Sequence, residues 1–358
     1  MALRWYYAFI VILLTGCSKP RPSELLERQE LSLLFVGDIM GHLSQIEAAY
    51  LEPGRYDYRE SFDKISPLLQ SSDVTIGNLE LTLGVPPYSG YPLFSSPPEL
   101  AESLKDAGFD ALMTANNHSC DRGREGLEKT LKVLDEFDLE HTGTFKSERS
   151  KQRTPAFFIE KKGMRVAILN FTFYTNDIPP TPPNVVNSMD KVVIREDVSL
   201  VEKEYQPDVI IAYVHWGDQY SKIPTSWQRE MNSYFNSLGV NIVIGSHPHV
   251  LQPMTFEMKQ GKLVAYSLGN FISHQRSEGT DGGMALQLTF VRDEQGKVFL
   301  NGVNGKLTWV HEYFREGKPH YKVLPVSEYL GQPSYFKNSN DYQKLRSFYS
   351  NSKGFLKK

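Results

Sequence analysis

The chain has 358 residues, 40% hydrophobic and 23% charged, with a formal net charge of −3. Such a length and balance describe an ordinary globular body of one large domain or two modest ones. They exclude the basic face that nucleic-acid binding needs, so no nucleic-acid partner is expected.

At the N-terminus, Arg4 precedes an apolar run from Trp5 to Leu14, which ends in Leu14-Thr15-Gly16-Cys17. A basic start, an apolar stretch too short to span a bilayer and a small-residue end make an export signal over residues 1–16. The Leu-x-Gly-Cys ending resembles a bacterial lipobox. That resemblance implies lipidation of Cys17 and an exported lipoprotein held at the membrane of a bacterial cell envelope. The plainer alternative is a secretory signal with an incidental Cys17. Loss of residues 1–16 removes one base, Arg4, and no acid, moving the net charge from −3 to −4. The only other cysteine is Cys120, so stability rests on a core and not on an internal disulfide. Residues 17–30, polar and Pro-containing, read as a tether.

Short apolar runs then alternate with helical patterns. Leu31–Val36 reads as a buried strand, followed by Val74–Ile76 and Ala111–Ala115. Pro98–Gly108 has helical spacing, with Gly108 as its C-cap. Gly126–Phe137 is amphipathic, with Leu127, Leu131 and Leu134 on one face. Met164–Phe171 is a strand, Glu196–Tyr205 a helix, Val209–Val214 a strand, and Trp227–Leu238 a helix closed by Gly239. Asn241–Ile244 and Leu263–Ser267 are strands. Beyond Gly282 the pattern turns β-rich, at Met284–Val291, Val298–Val303 and Lys306–His311. Asp341–Ser350 is a short helix. This alternation predicts stacked α/β layers in one domain over residues 31–330, with a second sheet from the late strands and a C-terminal extension over 331–358.

The chemistry collects at strand ends, where α/β folds place it. Six strand ends in turn carry polar side chains. They are Gly37-Asp38-Ile39-Met40-Gly41-His42, Gly77-Asn78-Leu79-Glu80, Asn116-Asn117-His118-Ser119-Cys120-Asp121, His215-Trp216-Gly217, Gly245-Ser246-His247-Pro248-His249 and Leu268-Gly269-Asn270-Phe271. Each has a bland reading as a cap, a turn or a surface charge. Together, two carboxylates, an Asn and several His form the ligand set of a two-metal hydrolytic centre. Imidazole and carboxylate suit Mn, Zn or Fe, and thiolate ligation is not expected from a single Cys120.

This ordered set resembles the bacterial capsule synthesis family CapA, the poly-γ-glutamate capsule biosynthesis proteins, over about residues 31–275. The resemblance implies an α/β (α+β) fold of the calcineurin-like metallophosphoesterase type, a four-layer β-sandwich flanked by helices. It implies two divalent ions, the first on Asp38 and His249, the second on Asn117, His215 and His247, with Glu80 bridging. It implies that His118 acts on the reacting group as acid or electrostatic stabiliser. Spacing alone adds Asp121 as the residue that orients His118. His42, Asn78, Asn270 and His274 are further candidates for the metals or for the shell around them. One departure stands out. Ordinary metallophosphoesterases place a His two residues after the first Asp; here that residue is Met40, and His42 is the nearest imidazole.

Trp216 and Tyr220 would line a substrate slot or pack. Phe94 and Pro86–Pro98 would form a rim loop or a connector. The expected function is hydrolysis or transfer on a phosphate-containing or γ-glutamyl cell-envelope substrate. The rival is a non-catalytic accessory that binds or exports an anionic capsule polymer. A His-x-His amidohydrolase barrel is disfavoured, because its His pair closes the first strand. A dinucleotide fold fails for want of Gly-x-Gly-x-x-Gly.

Overall fold

The computed structural model describes residues 29–356. The expected export signal, Cys17 and all but the last two residues of the expected tether lie outside them. Fourteen strands matter for the site. They are β1 Glu30–Ile39, β2 Val74–Leu79, β3 Ala111–Met113, β4 Glu140–Thr142, β5 Phe157–Lys161, β6 Met164–Thr172, β7 Val209–His215, β8 Ile242–Ser246, β9 Met254–Glu257, β10 Lys262–Ala265, β11 Asn270–Ile272, β12 Gly282–Arg292, β13 Val298–Arg315 and β14 Lys318–Pro325.

They build two sheets. The first runs β14-β13-β12-β1-β2-β3-β4, with β11 also beside β1; the second runs β5-β6-β7-β8-β10-β9. Strands β1 to β4 are parallel to one another, as are β6, β7, β8 and β10. The late strands therefore join the first sheet by antiparallel pairing on β1, and the middle strands make the second. This corrects the expectation that the late run forms a sheet of its own. Val298–Val303 and Lys306–His311 are one continuous strand, because polar Asn304 and Gly305 keep their ladder pairing with Gln287 and Leu286.

Strand sequences explain the layering. Leu31, Leu33 and Phe35 point between the sheets, while Leu34 and Val36 face the helices. In the second sheet Ile168, Ile211 and Ile244 point inward, while Leu169, Ala212 and Val243 face outward. Parallel strands covered on both faces read as continuous apolar runs, as these do. Outside the first sheet lie α1 Leu43–Ala49, α2 Glu99–Ala107 and α3 Gly123–Glu136; outside the second lie α4 Lys191–Tyr205 and α5 Ser226–Ser237. Gly108 closes α2 at φ +112°, a left-handed backbone suited to glycine. The helix read at Glu196 starts five residues earlier, because Asp190 Oδ1 accepts from the amides of Val192 and Val193. The arrangement is helices, sheet, sheet, helices.

The chain beyond residue 330 returns to this core. In α6, Ser339–Ser352, Leu345 and Phe348 are buried in the layer between the sheets. Removing the Phe348 side chain should leave a cavity there. We expect Phe348→Ala to lower global stability by roughly 3 kcal/mol in urea unfolding. An unchanged midpoint would show α6 to be dispensable to the core.

Candidate metal centre

Parallel strands in each sheet end at the same edge, and the two edges meet. Register sets Asp38 beside Asn78 on one side and Asn270 on the other. In the second sheet, His215 is level with Thr172 and Ser246. A shift in the pairing of β1 between Phe35 and Asp38 re-aims the carboxylate. Gly37 permits it: a Cβ there would lie 1.9 Å from Gly269 O. His247 and His249 hold φ of +99° and +58°, an uncommon backbone for non-glycine residues. Such strain persists where the surroundings fix it, and here it turns both rings to one side.

Asp38, Glu80, Asn117, His118, Asp121, His215, His247 and His249 are all at least nine-tenths buried. His215 is the hub. Its Nε2 lies 2.8 Å from Asn117 Oδ1, 3.0 Å from His247 Nδ1 and 3.6 Å from Glu80 Oε1. Its Nδ1 lies 3.0 Å from Ser246 Oγ. Asn78 Nδ2 approaches the same nitrogen at 3.2 Å, so Ser246 and Asn78 together fix the ring's orientation. On the other side, Asn270 Nδ2 donates to Gln275 Oε1 and Thr280 O, so its Oδ1 faces His249 Nδ1 at 3.1 Å. His249 Nδ1 also reaches Asp38 Oδ2 at 3.1 Å, and its Nε2 faces Glu80 Oε1 at 3.7 Å. Asn78 Nδ2 donates to Asp38 Oδ1 at 2.8 Å.

Neither carboxylate oxygen of Glu80 has a hydrogen-bond partner. Lone pairs gathered this closely repel unless a cation lies among them. Two overlapping groups have ligand atoms within 4.8 Å of one another: Asp38, Glu80 and His215, and Glu80, His247 and His249. Glu80 is common to both. The geometric grouping sets Asp38 with His215 and His247 with His249, whereas the resemblance implies Asp38 with His249 and His215 with His247. The donor set of carboxylates, imidazoles and an amide oxygen fits divalent transition ions.

Electrostatics point the same way. Burial, with the Asp38 charge adding to it, pushes the Glu80 carboxyl well above its ordinary range. Burial, with neighbouring imidazoles adding to it, pushes His215 well below the usual value and His247 down to about 3. Neutral imidazole is the form that binds a metal.

His118 stands apart from the hub. Its Nδ1–H donates to Asp121 Oδ2 at 2.7 Å, and the same oxygen accepts from the Phe94 amide at 2.6 Å. The Phe94 ring meets His118 edge-on, 4.6 Å between centroids. His42 and His274 lie at the rim, outside both metal groups. His42 Nδ1 is 3.1 Å from Gln45 Oε1, and His274 Nδ1 is 2.8 Å from the Tyr321 hydroxyl. Met40 is buried in the core beneath the helices. Trp216 is fully buried and packs on Tyr266, while Tyr220 is 52% exposed with its ring 5.9 Å from His249. Burial also raises the Cys120 thiol, to about 11.

Two neighbours were not read from the sequence. Tyr174 Oη lies 3.2 Å from His247 Nε2, and Asn176 Oδ1 accepts from Asn117 Nδ2 at 3.2 Å. Both follow β6, a strand end as polar and aromatic as the six singled out.

Residues 32–275 match the profile of the bacterial capsule synthesis protein family PGA_cap. The capsule biosynthesis protein CapA of Bacillus anthracis is 31% identical over 261 residues, covering 70% of this chain and 61% of that protein. The PGA biosynthesis protein CapA of Bacillus subtilis (strain 168) is 28% identical over 276 residues, covering 75% of this chain and 70% of that protein. The chain thus spans less than two thirds of the length of the Bacillus anthracis relative. Among solved structures, a Staphylococcus aureus protein provisionally called a 5′-nucleotidase, crystallised with α-ketoglutarate, superposes with a TM-score of 0.50. It is 12% identical, over 90% of this chain and 58% of its own. At that identity the likeness concerns the fold alone, and it agrees with two packed sheets flanked by helices.

The unpartnered Glu80 carboxylate should cost stability when no metal is bound. Its folded pKa is raised, so its contribution is fully present below about 4.5 and is lost as pH rises. In chelator-treated protein, Glu80→Gln should therefore be more stable than the parent at pH 7.5, by roughly 2 kcal/mol, with the gap closing towards pH 4. Equal stability at pH 7.5 would remove the argument. Asn176→Ala, which frees the Asn117 amide to turn, should weaken metal uptake by about 10- to 100-fold. Asn176→Asp, which keeps the acceptor, should lose less, and unchanged uptake by Asn176→Ala in a metal titration would sink the link.

Proposed function

The chain belongs to the bacterial capsule synthesis protein family, and from that membership we propose that it is a lipid-anchored envelope protein acting on a capsule polymer or its precursor. In this reading Cys17 carries the anchor, and the domain sits outside the membrane. No helix among the described residues is long and apolar enough to cross a bilayer. The reaction proposed is hydrolysis or transfer at a phosphate ester or a γ-glutamyl amide.

The observation that carries this reading is the buried, unpartnered Glu80 carboxylate ringed by Asp38, His215, His247 and His249. Bound there, two divalent ions would supply Lewis acidity at a phosphoryl or acyl oxygen and a source of hydroxide at neutral pH. The chain's own residues do the rest. Asp38, Glu80 and the imidazoles bind and space the ions. Asn78, Ser246 and Asn270 fix which atom each ligand presents. Asp121 occupies His118 Nδ1, so His118 Nε2 is the atom that passes a proton to the leaving group. Phe94 closes one side of His118 against water.

A second reading rests on Met40. The imidazole expected two residues after Asp38 is missing, and His42 lies outside both metal groups. A first metal site with fewer protein ligands favours a non-catalytic role, in which bound ions grip polymer carboxylates during export.

Elemental analysis of the chain from residue 18 onward tests the metal centre that both readings use. About two transition ions per chain are expected, lost in the His247→Ala/His249→Ala double variant. No metal and no uptake of Mn, Zn or Fe on titration would end the hydrolytic reading. With metal present, His118→Ala should keep its ions but lose about 10²- to 10⁴-fold in rate on phosphoester or γ-glutamyl substrates. Full activity in that variant would remove His118 from the chemistry.

A further inference from the structure

Among the described residues, most of the large apolar side chains left exposed lie at the end of the sandwich that carries the metal centre. On one side of the centre stand Leu43, Tyr91 and Leu93, and on the other Phe173, Tyr220 and Ile223. Ring contacts tie both groups to it. Tyr91 packs on Phe94, 6.4 Å between centroids, and Phe94 meets His118. Phe173 packs on Tyr174, which meets His247 edge-on at 5.4 Å. Leu43 opens α1 directly after His42, whose ring is 5.2 Å from that of Phe94.

Two fixed loops hold these side chains out. In the first, Ser89 and Ser95 exchange backbone hydrogen bonds at 2.9 Å, and the Arg122 guanidinium donates to Pro87 O at 2.8 Å and Ser89 Oγ at 2.6 Å. At its tip Tyr91 is 77% exposed. In the second, Tyr220 holds φ of +65°, uncommon for a non-glycine residue, with its amide donating to Pro248 O at 2.8 Å. Buried Gln252 donates to Ser221 O at 2.8 Å, and two residues on, Ile223 is 71% exposed. Backbone strain that ends in exposed tyrosine and isoleucine points to a partner other than water.

The chemistry of this rim is that of a bilayer interface. Tyrosine sets an apolar body and a polar hydroxyl at headgroup depth, while leucine, isoleucine and phenylalanine reach the acyl boundary. Charge does not select anionic headgroups here. Lys222 is paired with Glu278 at 2.8 Å, and Asp177 and Asp218 stand near Tyr174. The opposite end exposes Met258 and Phe299 on a cleft whose Lys259 and Lys297 are matched by Glu202 and Asp208.

Chain length allows the metal end to meet a membrane. β1 starts at Glu30, at the far end, and its ten residues rise about 33 Å to the metal edge. From Cys17 to Glu30 the chain spans at most about 45 Å when fully extended. A lipid on Cys17 therefore leaves enough reach for the metal end to lie against the bilayer.

We propose that the rim of the metal centre is a membrane-docking surface, which seats the domain with its metal end on the headgroups of a lipid bilayer. The proposal rests on the envelope reading above and adds to it the face and the partner. Docked in this way, the centre opens towards the headgroup layer.

The test is co-sedimentation with phosphatidylcholine vesicles of the chain from residue 18 onward, which keeps every described residue and lacks Cys17. Binding is expected, weakened about tenfold by Tyr91→Ser/Ile223→Ser and unaltered by Met258→Ser at the opposite end. Phosphatidylglycerol added to the vesicles should not strengthen it. No binding, equal binding by the double variant, a loss caused by Met258→Ser, or binding only with phosphatidylglycerol would each overturn the docking face. Self-association of the vesicle-free chain, abolished by the same double variant, would give the rim to a second copy instead. Because the tested chain has no anchor, those outcomes leave Cys17 and the metal analysis standing. Conversely, a protein that takes up no metal yet binds vesicles refutes hydrolysis alone.

Discussion

Glu80 is buried with both oxygens unpartnered, next to a second buried carboxylate and to His215 and His247, whose imidazoles burial holds neutral. Burying like charges without hydrogen bonds is among the most costly things a fold can do. Much of the architecture follows from supporting that cost. Asp38 is held by the Asn78 amide, and His215 is set by Ser246. His249 is set by Asn270, which the 275–280 segment in turn orients. Each supporting residue fixes which lone pair points inward. None of them neutralises the charge, which is what a cation held by these residues would do.

The fold can hold this arrangement because two parallel sheets end together. One sheet supplies Asp38 and Asn78, with Glu80 just beyond the strand, and the other supplies His215 and the turn after Ser246. The packed layer of Leu33, Phe35, Ile211 and Ile244 fixes the sheets against each other. Tyr213 adds a polar tie across that layer, its hydroxyl donating to Val36 O at 2.7 Å. A slip of one residue in either sheet would turn the ligands away from one another, since side chains alternate faces with period two. Apolar core packing is therefore what sets the ligand distances.

Much of this was legible in the sequence. Buried strands read as apolar runs, and strand ends read as polar clusters, so Asp38, Glu80, His215, His247 and His249 could be named together. Two things were not legible. The late strands alternate well enough to read as β, but pattern says nothing about which edge they join; pairing of β12 with β1 is a long-range choice. Tyr174 and Asn176 were passed over because aromatic and amide residues after a strand also suit an ordinary turn. Their role appears only when β6 and β7 pair and bring the turn over Asn117.

The position of Met40 bears on the same centre. A site short of one imidazole would hold its first ion weakly if protein ligands alone decided affinity. A carboxylate-rich chain can lend ligands of its own, because ion binding and substrate binding are then linked and each strengthens the other. Met40 fills the core side of the strand end, where an imidazole would be a buried polar group without a partner.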